Sequence, residues 1–276
     1  MKNLSEKSIL VSLNISKWSA RKFDRQATEE VNSNHNTTDA GRFNKLLVKK
    51  EYMKEISELE TKIRDFHYTN TLPWGDNGDR LLPSENYFLY VENMGNFKSK
   101  FEQAVRDFVE EYPAIISEAK NRLNGLFSKR DYPANIADKF NVKISFMPVP
   151  DVGDIRVSLS DKEIDAIKKS VSEEISSRFT SAQKDIYSRI ADQLKAMYNR
   201  LVDKEAIFRD SLFNNVLSLV DLLPRLNVSN DQNINDLCKD LKALYCEPQN
   251  VRNDVTLREK KAKDVEDLLK KVSAFI

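Results

Sequence analysis

Ile164, Ile175, Ile186 and Met197 stand eleven residues apart, and Ile167, Val171, Phe179, Ala182, Ile190, Leu194 and Leu201 fill the intervals in steps of three and four. From Ile164 to Leu201 the apolar stripe advances 37 residues in ten steps, about 3.7 per step, which is a helical period. No Pro or Gly interrupts it. The spacing predicts one unbroken amphipathic helix of about 40 residues, roughly 60 Å long at about 1.5 Å per residue. Ser160 followed by Glu163 has the pattern of a capping box and marks its start. A helix of that length outruns a compact core and needs a partner helix along much of it.

A second long stripe supplies a candidate partner. Tyr87, Tyr90, Met94, Phe97, Phe101, Val105, Phe108, Tyr112, Ile115, Ala119, Leu123 and Leu126 recur about every 3.5 residues after Ser84, an N-cap residue type. Pro113 lies inside this stripe and predicts a kink or break just before it. Because the two periods differ, irregular packing is expected rather than a regular supercoil.

Around these helices the elements are shorter. Val11, Leu13 and Ile15 alternate with polar residues as in a half-buried strand. Val142, Ile144 and Phe146, then a Pro/Asp/Gly turn, then Ile155, Val157 and Leu159 read as a β-hairpin. Residues 26–42 are rich in Asn, Thr, Ser and Asp without periodicity and read as a flexible linker. A helix follows, with Leu47, Met53, Ile56, Leu59, Ile63 and Phe66 on its apolar side, and it ends at the turn cluster around Pro73, Gly75 and Gly78. The last part is helical, with stripes ending at Pro224 and Pro248 and a final charged amphipathic segment.

The fold class expected is therefore mainly α with a small antiparallel β-sheet, a long antiparallel helical hairpin and a C-terminal helical cluster. The corresponding organisation is 1–25 as an N-terminal strand and basic segment, 26–42 as linker, 43–204 as helical hairpin with a β-hairpin near 142–159, and 205–276 as a C-terminal helical region.

Composition narrows the function classes. Of 276 residues, 32% are charged, above the usual quarter, which suits long helices with solvated outer faces. Lys and Arg total 44 against 43 Asp and Glu. A net charge of +1 argues against nucleic-acid binding driven by bulk charge, though it leaves room for a local basic patch. No apolar stretch approaches the length of a membrane span, and no signal-peptide pattern opens the chain. Cys238 and Cys246 fall two turns apart on one expected helix, about 12 Å, too far for a bridge within it. Free thiols in a cytoplasmic, reducing compartment are the expectation.

Residue types that carry chemistry are sparse. His35 and His67 have no Cys, Asp or Glu at zinc-ligand spacing, and no Ser or Cys sits in a nucleophile elbow. No glycine-rich phosphate loop is present. Asp76, Asn77 and Asp79 fail the spacing of a calcium loop. No catalytic residue, metal or cofactor is therefore assigned.

Two segments remain as binding candidates. Trp74 on its Gly/Asp turn, with Asp76, Asp79 and Arg80, reads either as a displayed aromatic anchor for a partner or as a plug where two helices meet. Lys17, Trp18, Arg21, Lys22 and Arg25 form a basic stretch with aromatic interleaving, suited to phosphates and a stacked base, or simply to a solvated strand edge.

Several motifs resemble one known family. They are VSLNISKWSARK from Val11 to Lys22, NTLPWGD from Asn70 to Asp76 and RLLP from Arg80 to Pro83. EYP at Glu111 to Pro113, GLF at Gly125 to Phe127, DYP at Asp131 to Pro133 and FRDSL at Phe208 to Leu212 follow in order. Together they span about residues 9 to 228 and resemble a domain-of-unknown-function family of bacteriophages and integrative mobile elements. That family's genes often lie near those for a MoxR-like AAA+ ATPase and a von Willebrand A-domain protein. The resemblance carries no established activity and implies only that setting; a non-enzymatic adaptor or scaffold working with that ATPase system in a bacterial host is the function expected. A nucleic-acid-binding accessory protein using Lys17 to Arg25 is the alternative, and a homo-oligomer through the long helices fits either.

Overall fold

The structure, a computed structural model, describes residues 4–155, 157–203 and 205–276. Its elements in chain order are α1 (Leu4–Lys7), β1 (Ser8–Ser16), β2 (Arg21–Phe23), α2 (Arg25–Asn34), β3 (Asn44–Leu46), α3 (Lys54–Thr69), β4 (Leu72–Pro73) and β5 (Arg80–Pro83). Then follow α4 (Ser84–Leu123), β6 (Asn141–Pro148), α5 (Asp161–Val202), α6 (Ser211–Leu226), α7 (Gln232–Leu244), α8 (Pro248–Asn253) and α9 (Val255–Ser273). The architecture is mainly α, with a four-stranded sheet in the order β4-β5-β1-β6 and a two-stranded ladder of β2 with β3. By its contacts the chain forms two compact units. One comprises residues 1–12, 67–91 and 145–276; the other comprises 13–66 and 92–144. Both are discontinuous in sequence and so follow neither the 43–204 nor the 205–276 boundary.

In the first unit, α5 begins at the expected capping box: the Ser160 side chain accepts from the Glu163 N–H, and the Glu163 carboxylate accepts from the Ser160 N–H at 3.1 Å. Ile175, Ala182, Ile186, Ile190, Leu194, Met197 and Leu201 of the stripe are buried. Their partner is α9, whose Ala262, Val265, Leu268 and Val272 form the matching stripe in the same core. The pairing is antiparallel. Arg258 near the start of α9 donates to the carbonyls of Leu201 and Arg200 at 2.9 and 2.8 Å, while Lys184 reaches the Ile276 carbonyl at 2.9 Å. Tyr187 and Phe275 stack at 4.8 Å beside that far end. The partner role expected of the 84–126 stripe is thus filled by the C-terminal helix, and α6 and α7 complete the cluster.

The turn cluster after α3 is a hairpin. Leu72 pairs with Leu81 and Pro73 with Arg80, and β5 pairs antiparallel with β1 from Ser8↔Pro83 to Val11↔Arg80. Arg189 of α5 fastens the approach to it by donating to the carbonyls of Thr69 at 2.6 Å and Tyr68 at 3.1 Å, groups that the end of a helix leaves without partners, and to the Thr71 carbonyl just beyond at 2.7 Å. His67 is buried, its Nδ1 2.7 Å from the Tyr90 hydroxyl, so it is a packing residue. The expected β-hairpin over 142–159 is half right. β6 is a strand, but Ile155, Val157 and Leu159 form none; a 3₁₀ turn at Val152–Asp154 intervenes, and Val157 and Leu159 remain exposed. Arg156 lies outside the described residues.

In the second unit, α3 and α4 run antiparallel, with the Tyr52 hydroxyl just before α3 donating to Glu118 at 2.6 Å and Phe66 against Phe97 at 5.6 Å. Phe101, Ala104, Phe108, Tyr112, Ile115 and Ala119 of α4 are buried at helical spacing. The helix runs through Pro113 without a break. Pro113 is exposed, so the carbonyl it leaves without an N–H partner can be served by water. The expected linker at 26–42 is largely a helix as well. Asp24 caps α2 by accepting from the Ala27 N–H at 3.0 Å, and Arg25–Glu29 and Gln26–Glu30 are i,i+4 pairs on its outer face. Buried Ala27 and Asn32 seat it, and polar composition concealed a stripe of only two residues.

Candidate functional site

Neither tryptophan is displayed. Trp74 is 5% exposed and belongs to the apolar core of the first unit with Leu72, Leu81, Ala182 and Ile186. It therefore corrects the reading of a projecting anchor. Its neighbours are tied into the hairpin: Asn77 donates to Asp79 at 2.8 Å, and the Gly75 N–H reaches the Asp79 carbonyl at 3.2 Å. Gly78, at φ 90°, adopts a backbone that a side chain would strain. Arg80 is half-buried. It donates to the Thr71 hydroxyl and carbonyl at 2.6 and 3.0 Å and lies 4.9 Å over the Tyr68 ring. Burial, with Arg189 nearby, pushes its pKa below the ordinary value. Of the four residues proposed for a partner, Trp74 is buried, Asp79 and Arg80 are half-buried, and Asp76 is exposed.

Trp18 is 9% exposed and sits in an aromatic cluster of the second unit, edge-on to Tyr112 at 5.9 Å and near Phe108 and Tyr132 at 6.4 and 6.5 Å. Its ring is committed to that packing and is not a free platform for a base, which corrects its proposed stacking role. Burial lifts the Tyr112 hydroxyl to about 12, so this cluster stays neutral across the physiological range.

The other face of this segment is open. Residues 17–20 turn between β1 and β2, and Ala20 takes a positive φ of 53°, a conformation that costs a residue with a Cβ about 1 kcal/mol. The turn is held because the Ala20 carbonyl accepts the Leu47 N–H at 2.9 Å and Arg21 pairs with Leu46 across the β2–β3 ladder. That register brings Lys17–Arg21 against residues 46–62, across a gap in sequence that no local pattern bridges. Between them lies an open groove of about 720 Å³. Its floor is apolar, from Trp18, Ala20, Val48 and Met53, with Leu46 37% exposed at the rim. Its walls carry Lys17, Arg21, Lys49, Lys50, Lys54 and Lys62 against only Glu51 and Glu58.

Internal pairing neutralises some of these cations. Lys17 contacts Glu60 at 2.6 Å and donates to the Ser57 hydroxyl at 3.2 Å. Burial alone would raise the Glu60 carboxyl, but hydrogen bonds from Lys17 and Arg64 outweigh it and hold its pKa down. Lys49 pairs with Glu118, whose hydrogen bond raises its pKa. Lys54 stands 3.9 Å from Glu58. Arg21, Lys50 and Lys62 have no carboxylate within 4.0 Å among the described residues. Lys22 is exposed on β2 outside the groove, and Arg25 pairs with Glu29 at 2.7 Å on α2, so the basic stretch 17–25 is divided between the groove and other surfaces.

The sequence marked Lys17 and Arg21 but missed Lys49, Lys50, Lys54 and Lys62; the spacing of Lys50, Lys54 and Lys62 at multiples of four was the available signal. Among the described residues, no group of three or more His, Cys, Asp or Glu is arranged to hold a metal, and no helix is long and apolar enough to cross a membrane. No family model, curated protein or solved structure matches the chain.

Proposed function

We propose that the protein is a non-enzymatic adaptor or scaffold of a phage or mobile element, working in the bacterial cytoplasm with a MoxR-like AAA+ ATPase and its von Willebrand A-domain partner. The observation that supports this reading is the groove of the second unit, an open trough with an apolar floor in which Arg21, Lys50 and Lys62 have no carboxylate within 4.0 Å among the described residues. Such a surface is built to be covered: buried apolar area supplies affinity, and charged walls set partner choice and encounter rate. The partner's identity rests on the family resemblance. A tagged pull-down from the native host, with nuclease treatment and identification of bound proteins, tests it. Recovery of the ATPase or the A-domain protein is expected, and their absence from a clean preparation would end the adaptor reading.

A second reading, a nucleic-acid-binding accessory protein, draws on exposed Arg21 and Lys22. It predicts oligonucleotide binding that falls steeply with salt and with Arg21→Ala. The commitment of the Trp18 ring to Phe108, Tyr112 and Tyr132 weighs against it, because single strands bind through stacking as well as charge.

A further inference from the structure

We infer that the groove between the 17–21 turn and α3 docks an acidic segment of a partner protein that carries an apolar anchor. The partner's carboxylates meet Arg21, Lys50 and Lys62, and its apolar side chain covers the exposed edge of Leu46 beside the buried floor. This rests on the adaptor reading and specifies the chemistry of what is adapted.

Charge complementarity selects the occupant. The three cations come from separate elements: Arg21 from β2, Lys50 from the 3₁₀ turn Lys50–Met53, and Lys62 from α3. All three are exposed. Three cations from three elements line one trough, which suits several carboxylates on one chain better than a single small anion. Glu51 and Glu58 share the walls. A nucleic acid, with a phosphate at every nucleotide, would have to bring negative charge against them, whereas a peptide can place a carboxylate opposite each cation and a neutral residue opposite each Glu.

The dimensions agree. From Lys54 to Lys62 the α3 wall runs eight residues, about 12 Å. That spans about two turns of a docked helix or about four residues of an extended segment. The floor needs only one anchor side chain, since Trp18 is already packed from behind. The left-handed backbone at Ala20, buried at the base of the trough, is held by the Leu47 hydrogen bond and fixes where Arg21 leaves the chain. Backbone strain maintained by surrounding structure is characteristic of binding and switch regions.

The test is fluorescence anisotropy on the full chain with three labelled probes: a twelve-residue peptide with Glu flanking a Leu-Phe pair, the same peptide with Gln for Glu, and a thymidine oligonucleotide. The acidic peptide should bind in the micromolar range and weaken with salt, and the Gln peptide should bind about tenfold more weakly or worse. Arg21→Glu combined with Lys50→Glu and Lys62→Glu should abolish acidic-peptide binding while leaving the melting temperature in place. If the triple variant is damaged, Lys62→Glu alone, on an exposed helix face, should still weaken binding several-fold. Equal binding of the Gln peptide, an unaffected folded variant, or binding of the oligonucleotide but not the peptide would each overturn the inference. The adaptor reading is scored separately in the pull-down. Equal recovery of the ATPase by wild type and triple variant would keep that reading and remove this groove as its docking site, and recovery by neither would remove the reading itself.

Discussion

Replacing Trp74 by Ala distinguishes a core residue from a displayed one. The side chain is 5% exposed and shares its core with Leu72, Leu81, Ala182 and Ile186, all 2% exposed or less. A buried tryptophan covers roughly 150–250 Å², which at about 25 cal/mol per Å² corresponds to about 4–6 kcal/mol as an upper bound. Measured losses for comparable truncations are about 3–5 kcal/mol, because the site collapses in part. The first unit holds about 170 residues. For a unit that size each kcal/mol shifts Tm by roughly 2–4 °C, so Trp74→Ala should lower its transition by about 6–20 °C. Differential scanning calorimetry reads this directly. The chain has two tryptophans, one in each unit, so in this variant the remaining fluorescence reports Trp18 and hence the second unit. That transition should stay near its wild-type position. A first-unit shift under about 2 °C would refute the reasoning and return Trp74 to the surface.

Other substitutions probe the second unit and the long helix. Lys45 is 7% exposed and forms ion pairs with Asp24 at 2.9 Å and Asp131 at 2.8 Å, so Lys45→Met leaves two half-buried carboxylates without their cation and should cost about 1–3 kcal/mol by chemical denaturation. The same cluster sets a pH window. The Ala27 N–H, and then Lys45, hold the Asp24 carboxyl below its ordinary value, so its contribution is full above about pH 4 and is lost as pH falls through the lowered value. Burial would lower the Lys45 pKa, but Asp131 and Asp24 outweigh it and raise it, so its contribution is full below about pH 10 and fades only in stronger alkali. Denaturation midpoints followed by Trp18 fluorescence in a Trp74→Phe background should be level between these limits and fall on the acid side. Pro113→Ala should stabilise the second unit by about 1–3 kcal/mol, since it restores a helix hydrogen bond at an exposed position; a loss of stability would mean that α4 needs the proline. Ser160→Ala removes the cap of α5 and should cost about 1 kcal/mol, read as a lowered first-unit midpoint.

How far the sequence could be read depended on the range of the forces involved. The α5 helix was legible to its first turn because both its stripe and its cap are local patterns. Its partner was not: two stripes compete for the role by length and period, and only packing selects Ala262, Val265, Leu268 and Val272. The α2 helix was missed because a short helix seated by Ala27 and Asn32 has almost no apolar periodicity. Ile155, Val157 and Leu159 alternate like a strand, yet no ladder forms there, since alternation records only a tendency and pairing needs an available edge. Trp74 read equally as a displayed anchor or a plug between helices, and Trp18 as a base platform or part of a strand edge, because charged or turn-forming residues stand beside both. In the fold those neighbours turn outward and the rings turn in. The groove was least legible, since its two sides meet through the Arg21↔Leu46 register of a ladder three residues long, too short to announce itself by alternation, and through isolated contacts such as Lys17 with Glu60.

The net charge of +1 conceals this groove because acids and bases are balanced over the chain but not over each surface. On α3, Lys54, Glu58 and Lys62 succeed one another at intervals of four, so one carboxylate stands between two ammonium groups and can pair closely with only one. It lies 3.9 Å from Lys54, and Lys62 is left over. Glu58 nevertheless lowers the potential of the whole wall and would repel an incoming carboxylate. If docking is driven by the surplus positive charge, Glu58→Gln, which keeps the side-chain shape, should tighten binding of the acidic peptide about two- to fivefold, since an exposed charge interaction is worth up to about 1 kcal/mol. The gain should shrink as salt rises toward the screening regime. Anisotropy titrations at low and high ionic strength measure both. Unchanged or weaker binding at low salt would mean that the cations are merely solvated and that the apolar floor, not the charge, decides what the groove accepts.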